Sequence, residues 1–137
     1  MARPKTPTDS NHMDVRFYCT HGFRLTARKS AHDVNRYCDD IKKVLALNPH
    51  YGVSIPRYPA LRKMRANVPH CNIGKSGGYR LIYRVEFINQ AIHIVLLAIY
   101  FKGRKTDLTN AEYDRIQAES TKIVLDTLSY EWTDFAI

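Results

Sequence analysis

The feature that most constrains the fold is the segment "IHIVLLAIYFK", residues 92–102, which is apolar at nearly every position. The segment is too short to cross a membrane as a helix, which needs about 20 apolar residues. A strand that is apolar on both sides has to be covered on both faces of its sheet. The sequence therefore predicts a central strand here, with other elements packed above and below it.

Two preceding segments alternate between apolar and polar residues, as half-buried strands do. They are "LRKMRANV", residues 61–68, and "YRLIYRVEFI", residues 79–88. The pair "NQ" at 89–90 is read as a tight hairpin turn, so these segments and the apolar one are predicted to form an antiparallel meander. The apolar sides carry Met64, Ala66, Val68, Tyr79, Leu81 and Tyr83, and the basic sides carry Lys63, Arg65, Arg80 and Arg84.

The remaining elements are read from periodicity and capping. "DVRFYC" at 14–19 is a strand candidate, and residues 23–49 are largely helical, with a possible break near Ser30. Thr109 and Glu112 form a capping box that opens a last helix, to about Leu128. Residues 48–60, with three prolines, are predicted to be a loop. The predicted class is α+β: an N-terminal strand, one or two helices, a three-stranded antiparallel meander and a C-terminal helix.

Composition limits the possible environments. Residues 1–13 lack an apolar signal region and are interpreted as a disordered lead or an expression remnant, and residues 14–137 as one domain. The three cysteines are widely spaced and form no zinc pattern, so a reducing cytoplasm is expected. No acidic or histidine cluster has metal-ligand spacing, so no metal and no cofactor are predicted.

Charge is distributed unevenly along the chain. The formal net charge is +8, and there is no Asp or Glu between Ile41 and Val85, a span that holds nine Lys and Arg residues. From Thr106 onwards the sequence contains seven acidic residues and only two basic ones, Arg115 and Lys122. A one-sided field of this kind attracts a polyanion, although a solvated basic face without a partner would look the same.

The letters "GKS" at 74–76 resemble the end of a nucleotide-binding phosphate loop. That loop needs an earlier glycine where Pro69 stands, and a helix directly after the Lys-Ser pair. Here Gly77 and Gly78 lead into a strand. The sequence therefore excludes this class of nucleotide site.

Three linked motifs carry a resemblance to a known family. "LRKMR", "GKSGGYRLIYRV" and "LLAIYFKGRKTDLT", in this order, resemble the HigB branch of the RelE/ParE superfamily of toxins from toxin–antitoxin systems. The resemblance follows the element order over residues 15–128 and is specific between 61 and 109. "YPA" at 58–60 and "KGRK" after the last strand depart from the usual pattern, and the tail after residue 128 lies outside it.

The resemblance implies an mRNA interferase that cuts messages in the ribosomal A site. Its implied partners are the mRNA, the ribosome and a small helix-turn-helix antitoxin similar to HigA, with operator DNA contacted only through the antitoxin. A membrane partner is not expected. Two alternatives remain open at this point: a DNA gyrase poison of the ParE kind, and a catalytically silent relative that binds RNA or its antitoxin.

Metal-free RNA cleavage requires alignment of the 2′-hydroxyl, neutralisation of the phosphate charge and proton transfer. Arginine and lysine side chains suit the second task. Arg80 is the candidate for phosphate stabilisation, and Lys102 or Lys63 could act as base or acid. Tyr100 could stack on a base or lie in the core. The catalytic candidates are Arg80, Lys102, Arg65 and Lys63, and the RNA-binding candidates are Lys75, Arg62, Arg84 and Tyr100.

Overall fold

The computed structural model describes residues 14–30, 34–66 and 78–129, and these ranges contain five strands and three helices. The strands are β1 (Asp14–Cys19), β2 (Val53–Ile55), β3 (Tyr58–Ala66), β4 (Tyr79–Ile88) and β5 (Ala91–Phe101). The helices are α1 (His21–Ser30), α2 (Val34–Leu47) and α3 (Asn110–Ser129). None of these helices is long and apolar enough to span a bilayer.

The strands form one mixed sheet in the order β1-β5-β4-β3-β2. The predicted antiparallel meander of β3, β4 and β5 is confirmed by the pairing of these strands. β1 pairs in parallel with β5, which gives β5 a neighbour on each side. The α+β class is therefore confirmed, and the sheet is wider than the three-stranded prediction.

The turn between β4 and β5 follows the prediction for "NQ". Asn89 and Gln90 have φ angles of 52° and 62°, the left-handed values that a two-residue hairpin of type I′ requires. The turn fixes the register from Ile88 opposite Ala91 onwards. This register, with the irregularity described below, places Arg80 opposite Tyr100 near the far end of β5.

The prediction of a loop over residues 48–60 is wrong in part. β2 lies within this range, and β3 begins at Tyr58, three residues before the predicted start. Val53 pairs with Lys63, and Ser54 pairs with Arg62. A strand of three residues has too little local pattern to be predicted, and pairing with β3 stabilises it instead.

Both faces of the sheet are covered, as the apolar β5 segment requires. One face packs against Phe23 and Ala27 of α1 and against Ile41 and Leu45 of α2. The opposite face packs against α3 through Tyr113 and Ile116. The predicted core positions Tyr79, Leu81, Tyr83, Met64 and Ala66 all lie on the first face and are buried.

A β-bulge changes the phase of β5. Ile82 of β4 pairs with Ala98, but the next residue, Tyr83, pairs with Leu96, so Leu97 is an extra residue in β5. Before the bulge the even-numbered residues of β5 face α1 and α2, and after it they face α3. Tyr100 therefore lies on the same face as Arg80.

Local helix signals are also confirmed. α1 ends at Ser30 and α2 begins at Val34, which matches the predicted break. At the start of α3 the Thr109 hydroxyl accepts a hydrogen bond from the Glu112 amide, and the Glu112 carboxylate accepts one from the Thr109 amide. This reciprocal capping box orients the chain between β5 and α3.

Candidate nucleic-acid-binding cleft

A cleft of about 490 Å³ opens on the α3 side of the sheet, beyond the part that the helix covers. Three strands supply its base: Arg65 of β3 pairs opposite Arg80 of β4, and Arg80 pairs opposite Tyr100 of β5. Residues on adjacent strands at the same register are close enough to interact. The lining consists of Tyr51, Gly52, Val53, Lys63, Met64, Arg65, Arg80, Tyr100, Lys102 and Thr106.

All four catalytic candidates therefore reach one cleft. The alternation of β3 directs Lys63 and Arg65 to the same face, and Arg80 follows the same rule on β4. Lys102 lies just beyond the end of β5, where its amide donates to the Gly78 carbonyl at 3.1 Å. The fold brings these positions together, and the roles assigned to them remain a prediction.

Arg80 is more deeply placed than an exposed basic face implies. Its relative exposure is 9%, because it lies between the Arg65 and Tyr100 positions of the neighbouring strands. Its guanidinium donates to the Tyr79 carbonyl at 3.3 Å. Gly78, with φ of +40°, lies so close that an added Cβ would be 3.3 Å from the guanidinium. Arg80 is therefore a nearly buried cation of the cleft.

Arg65 and Lys102 are cations without a counterion in the part of the chain that the structure describes. Among those residues the guanidinium of Arg65 and the ammonium of Lys102 make no hydrogen bond or ion pair with protein groups, although Arg65 is exposed and Lys102 is half-buried. Like charges on directly opposed strand positions, as in Arg65 and Arg80, are destabilising. An anion bound between them would remove this repulsion.

Lys63 is held in place by an acidic residue from the segment before α3. Its ammonium donates to the Asp107 carboxylate at 3.0 Å. The same carboxylate oxygen accepts hydrogen bonds from the Tyr113 hydroxyl and from the Leu108 amide. Burial raises the pKa of Asp107, but these hydrogen bonds and the charge of Lys63 outweigh it and hold the pKa below its usual value. Asp107 is therefore an ionised anchor for Lys63.

Tyr100 lies in the core, which is the second of the two roles considered for it, and its ring is too buried to stack on a nucleobase. It is 5% exposed, and its hydroxyl lies 3.4 Å from the Asp107 carboxylate. Burial, together with the charge of Asp107, raises the pKa of Tyr100 to about 12. Burial and the hydrogen bond to Asp107 also raise the pKa of Tyr113. Both phenols are thus neutral donors that position Asp107.

The two predicted RNA-binding arginines do not line the cleft, and each of them contacts protein groups. Arg62 lies on the opposite face of β3 and donates to the Gly52 carbonyl at 2.6 Å from Nη2 and 2.9 Å from Nε. Arg84 donates to Glu86 at 2.8 Å and to the hydroxyls of Ser120 and Thr121 in α3. Arg84, rather than Arg80, is therefore the arginine of β4 that contacts the last helix. The predicted RNA contact at Lys75 lies outside the described residues.

Sequence reasoning missed two residues of this site. Asp107 stands in the quoted "DLT" motif, but the motif gives no indication that its carboxylate returns to β3. Tyr51 lines the cleft from a segment that was predicted to be featureless loop. Only the pairing of β2 with β3 brings this segment beside the cationic residues.

The described residues contain no group of three His, Cys, Asp or Glu side chains that could hold a metal ion. His93 is a buried core residue, 2% exposed, and forms hydrogen bonds with the Ile88 carbonyl and the Tyr18 hydroxyl. Burial lowers the pKa of His93. It lies outside the cleft lining.

Comparison with known proteins adds little to the description of the site. No protein-family model and no curated protein match the chain. A solved structure of the E. coli toxin RelE, a double mutant in which two arginines are replaced by alanine, in the free state, is similar to it. The similarity covers 69% of this chain and 88% of that chain, with 16% sequence identity and a TM-score of 0.44. The function is therefore inferred from the cleft and from the sequence motifs.

Proposed function

We propose that the chain is an endoribonuclease toxin whose cleft binds and cleaves an RNA phosphodiester. The observation that carries the proposal is the convergence of Lys63, Arg65, Arg80 and Lys102 on one cleft. Of these four cations only Lys63 has a carboxylate partner among the described residues. An RNA phosphate would supply the missing negative charge, because guanidinium forks bind phosphate oxygens in pairs.

The chemistry needs only groups that the cleft supplies. The 2′-oxygen attacks its own 3′-phosphorus, the bond to the 5′-oxygen breaks, and a cyclic phosphate and a 5′-hydroxyl result. Arg80 and Arg65 stabilise the charge on the non-bridging oxygens. Lys102, as the neutral amine, takes the proton from the 2′-hydroxyl, and the Lys63 ammonium, paired with Asp107, gives one to the leaving oxygen. Asp107 keeps Lys63 in a fixed position for this transfer.

The biological setting follows from the motif resemblance to the HigB branch. The proposed substrate is mRNA on the ribosome, and the proposed partner is a helix-turn-helix antitoxin similar to HigA. Cleavage would then stop translation in the cytoplasm. The adjacent reading frame tests the partner: a gene of about 100 codons with a helix-turn-helix pattern is expected.

The enzymatic proposal is tested with Lys102→Ala and a matched control. Lys43 is an exposed lysine of α2, on the other side of the sheet, so Lys43→Ala removes the same charge from a different surface. Cleavage of labelled mRNA in a translation extract should fall at least about 100-fold in Lys102→Ala only. The products should end in cyclic phosphates. Uncut mRNA with the wild-type protein, or equal losses in both variants, would contradict the proposal, and broken DNA would favour a gyrase poison.

A further inference from the structure

Tyr51 is the exposed aromatic residue of the cleft lining. Its relative exposure is 56%, whereas Tyr100 in the same lining is 5% exposed. In the described part of the chain the Tyr51 hydroxyl has no hydrogen-bond partner. A second depression, of about 230 Å³, lies between β3 and α2, and Tyr51 and Arg65 line both spaces. The aromatic ring thus stands beside a cation at the border of the cleft.

The backbone that carries Tyr51 is fixed to the sheet. The amide of Gly52 donates to the Tyr83 hydroxyl at 2.8 Å, and that hydroxyl donates to the Pro49 carbonyl at 2.9 Å. Arg62 binds the Gly52 carbonyl from β3. An added Cβ at Gly52 would lie 2.7 Å from the Lys63 carbonyl, so the chain here touches β3 directly. An exposed ring on a clamped segment is positioned before any ligand arrives.

We propose that Tyr51 is the stacking platform for an unpaired nucleobase next to the phosphate bound in the cationic cleft. The inference rests on the proposed function and specifies its substrate as single-stranded RNA. Exposed aromatic rings beside backbone-binding cations are the usual arrangement for single strands, because every base has a face that can stack. In duplex RNA the faces are already stacked on neighbouring bases and cannot reach such a ring.

The role of Arg62 follows from this arrangement. Its contacts with the Gly52 carbonyl replace the direct RNA contact that the sequence predicted for it. Tyr83 acts from the same side of the sheet through its hydroxyl. Both residues position the platform and do not touch the substrate.

The experiment compares Tyr51→Ala, Tyr51→Trp and Phe87→Ala, the last an exposed aromatic residue of β4 that does not line the cleft. Binding of a single-stranded oligoribonucleotide of about ten bases should weaken about 5- to 150-fold in Tyr51→Ala, and Tyr51→Trp and Phe87→Ala should bind as tightly as the wild type. Heparin, a polyanion without bases, should bind all four proteins equally, since Tyr51 carries no charge. Duplex RNA should also bind the wild type and Tyr51→Ala equally.

The outcomes separate this inference from the proposed function. Tyr51 is not a stacking platform if Tyr51→Ala binds the oligoribonucleotide as tightly as the wild type, or if its affinity for heparin falls as much as its affinity for the oligoribonucleotide. Cleavage in the cleft can still be observed in either case. If the wild type binds no RNA at all, both proposals fail. Thermal melts of the variants should coincide, because Tyr51 is more than half exposed.

Discussion

At the level of single residues, Arg80 is a cation whose surroundings favour the binding of an anion. The residue is nearly buried between two strands, and no carboxylate pairs with it in the described part of the chain. A buried charge without a partner costs free energy. The opposed Arg65 adds repulsion. A protein selected for stability alone would not retain such a pair, so the arrangement favours a ligand with negative charge.

Arg80→Ala is expected to reduce RNA cleavage about 100- to 1000-fold, because a donor to the charged phosphate oxygens is lost. The substitution loses the packing of the buried side-chain stem but also removes an unpaired charge, so the free energy of unfolding should change by less than about 1 kcal/mol. The matched control is Arg28→Ala, an exposed arginine of α1, which should change neither quantity. Tyr83→Ala, at a position with 0% exposure, should lose several kcal/mol. Cleavage rates and thermal melts of the three variants check these expectations, and full cleavage by Arg80→Ala would contradict them.

Asp107 gives a prediction about pH. Burial raises its pKa, but Tyr113, Lys63 and the Leu108 amide outweigh burial and hold the pKa below the usual carboxyl value. A group with a lowered folded-state pKa stabilises the protein above its unfolded pKa of about 4 and loses that contribution as the pH falls through the folded value. Asp107→Asn should therefore melt below the wild type near neutral pH, and the difference should shrink below about pH 4. A difference that does not change with pH would show that the charge of Asp107 is not involved.

At the level of elements, the segment before β2 and the bulge in β5 build the cleft. The segment carries Tyr51 and Gly52 against β3, and the bulge at Leu97 turns Tyr100 and Lys102 toward the α3 face. Without the extra residue, the side chains after Leu97 would point to the opposite face, toward α1 and α2. The cationic cleft therefore depends on one irregular position in an otherwise regular strand.

Gly52→Ala tests the contact between this segment and β3. The added Cβ would lie 2.7 Å from the Lys63 carbonyl and 2.9 Å from the Tyr83 ring, so the segment or the strand has to move. We expect a loss of about 1–3 kcal/mol in the free energy of unfolding. Gly22→Ala is the control: its nearest neighbour is the flexible end of Glu119 at 3.3 Å, and alanine suits a helix better than glycine. Equal melting temperatures for Gly52→Ala and the wild type would contradict the close contact.

At the level of the whole molecule, charge is separated between the chain halves. The acid-free span from residue 41 to 85 supplies three of the four cleft cations, and seven of the 13 acidic residues follow Thr106. Asp107 is the acidic residue that contacts the cleft cations in the described ranges, through Lys63. The acidic residues of α3 form no ion pair with the cleft cations in the described ranges, so the cleft stays positive, which increases the association rate of a polyanion.

Binding of single-stranded RNA should therefore weaken steeply with salt. Neutralisation of phosphates by four cations releases counterions and gives a slope of about −3 in a plot of log affinity against log salt concentration. Lys102→Ala should reduce this slope by about 0.7, whereas Lys43→Ala should leave it unchanged. Titrations at several salt concentrations measure the slopes. A flat response for the wild type would exclude an electrostatic RNA site.

Elements in which apolar residues repeat regularly, or in which neighbouring residues form a recognisable turn or cap, could be predicted from the sequence. Alternation in β3 and β4 predicted the core residues on the face toward α1 and α2, and it placed Lys63, Arg65 and Arg80 on the other face. The "NQ" turn and the Thr109 capping box were readable because their chemistry is confined to a few neighbouring residues. The continuous apolar run of β5 required cover on both faces, and the helices provide it.

The tertiary structure alone decided the details that make the cleft. The bulge at Leu97, the short strand β2 and the parallel pairing of β1 with β5 depend on partners far apart in sequence. The same holds for Arg62, a basic residue that contacts a backbone carbonyl rather than a ligand. The physical reason is that alternation specifies the side of a strand, whereas the neighbours across the sheet decide whether a charge there is paired, buried or free to bind an anion.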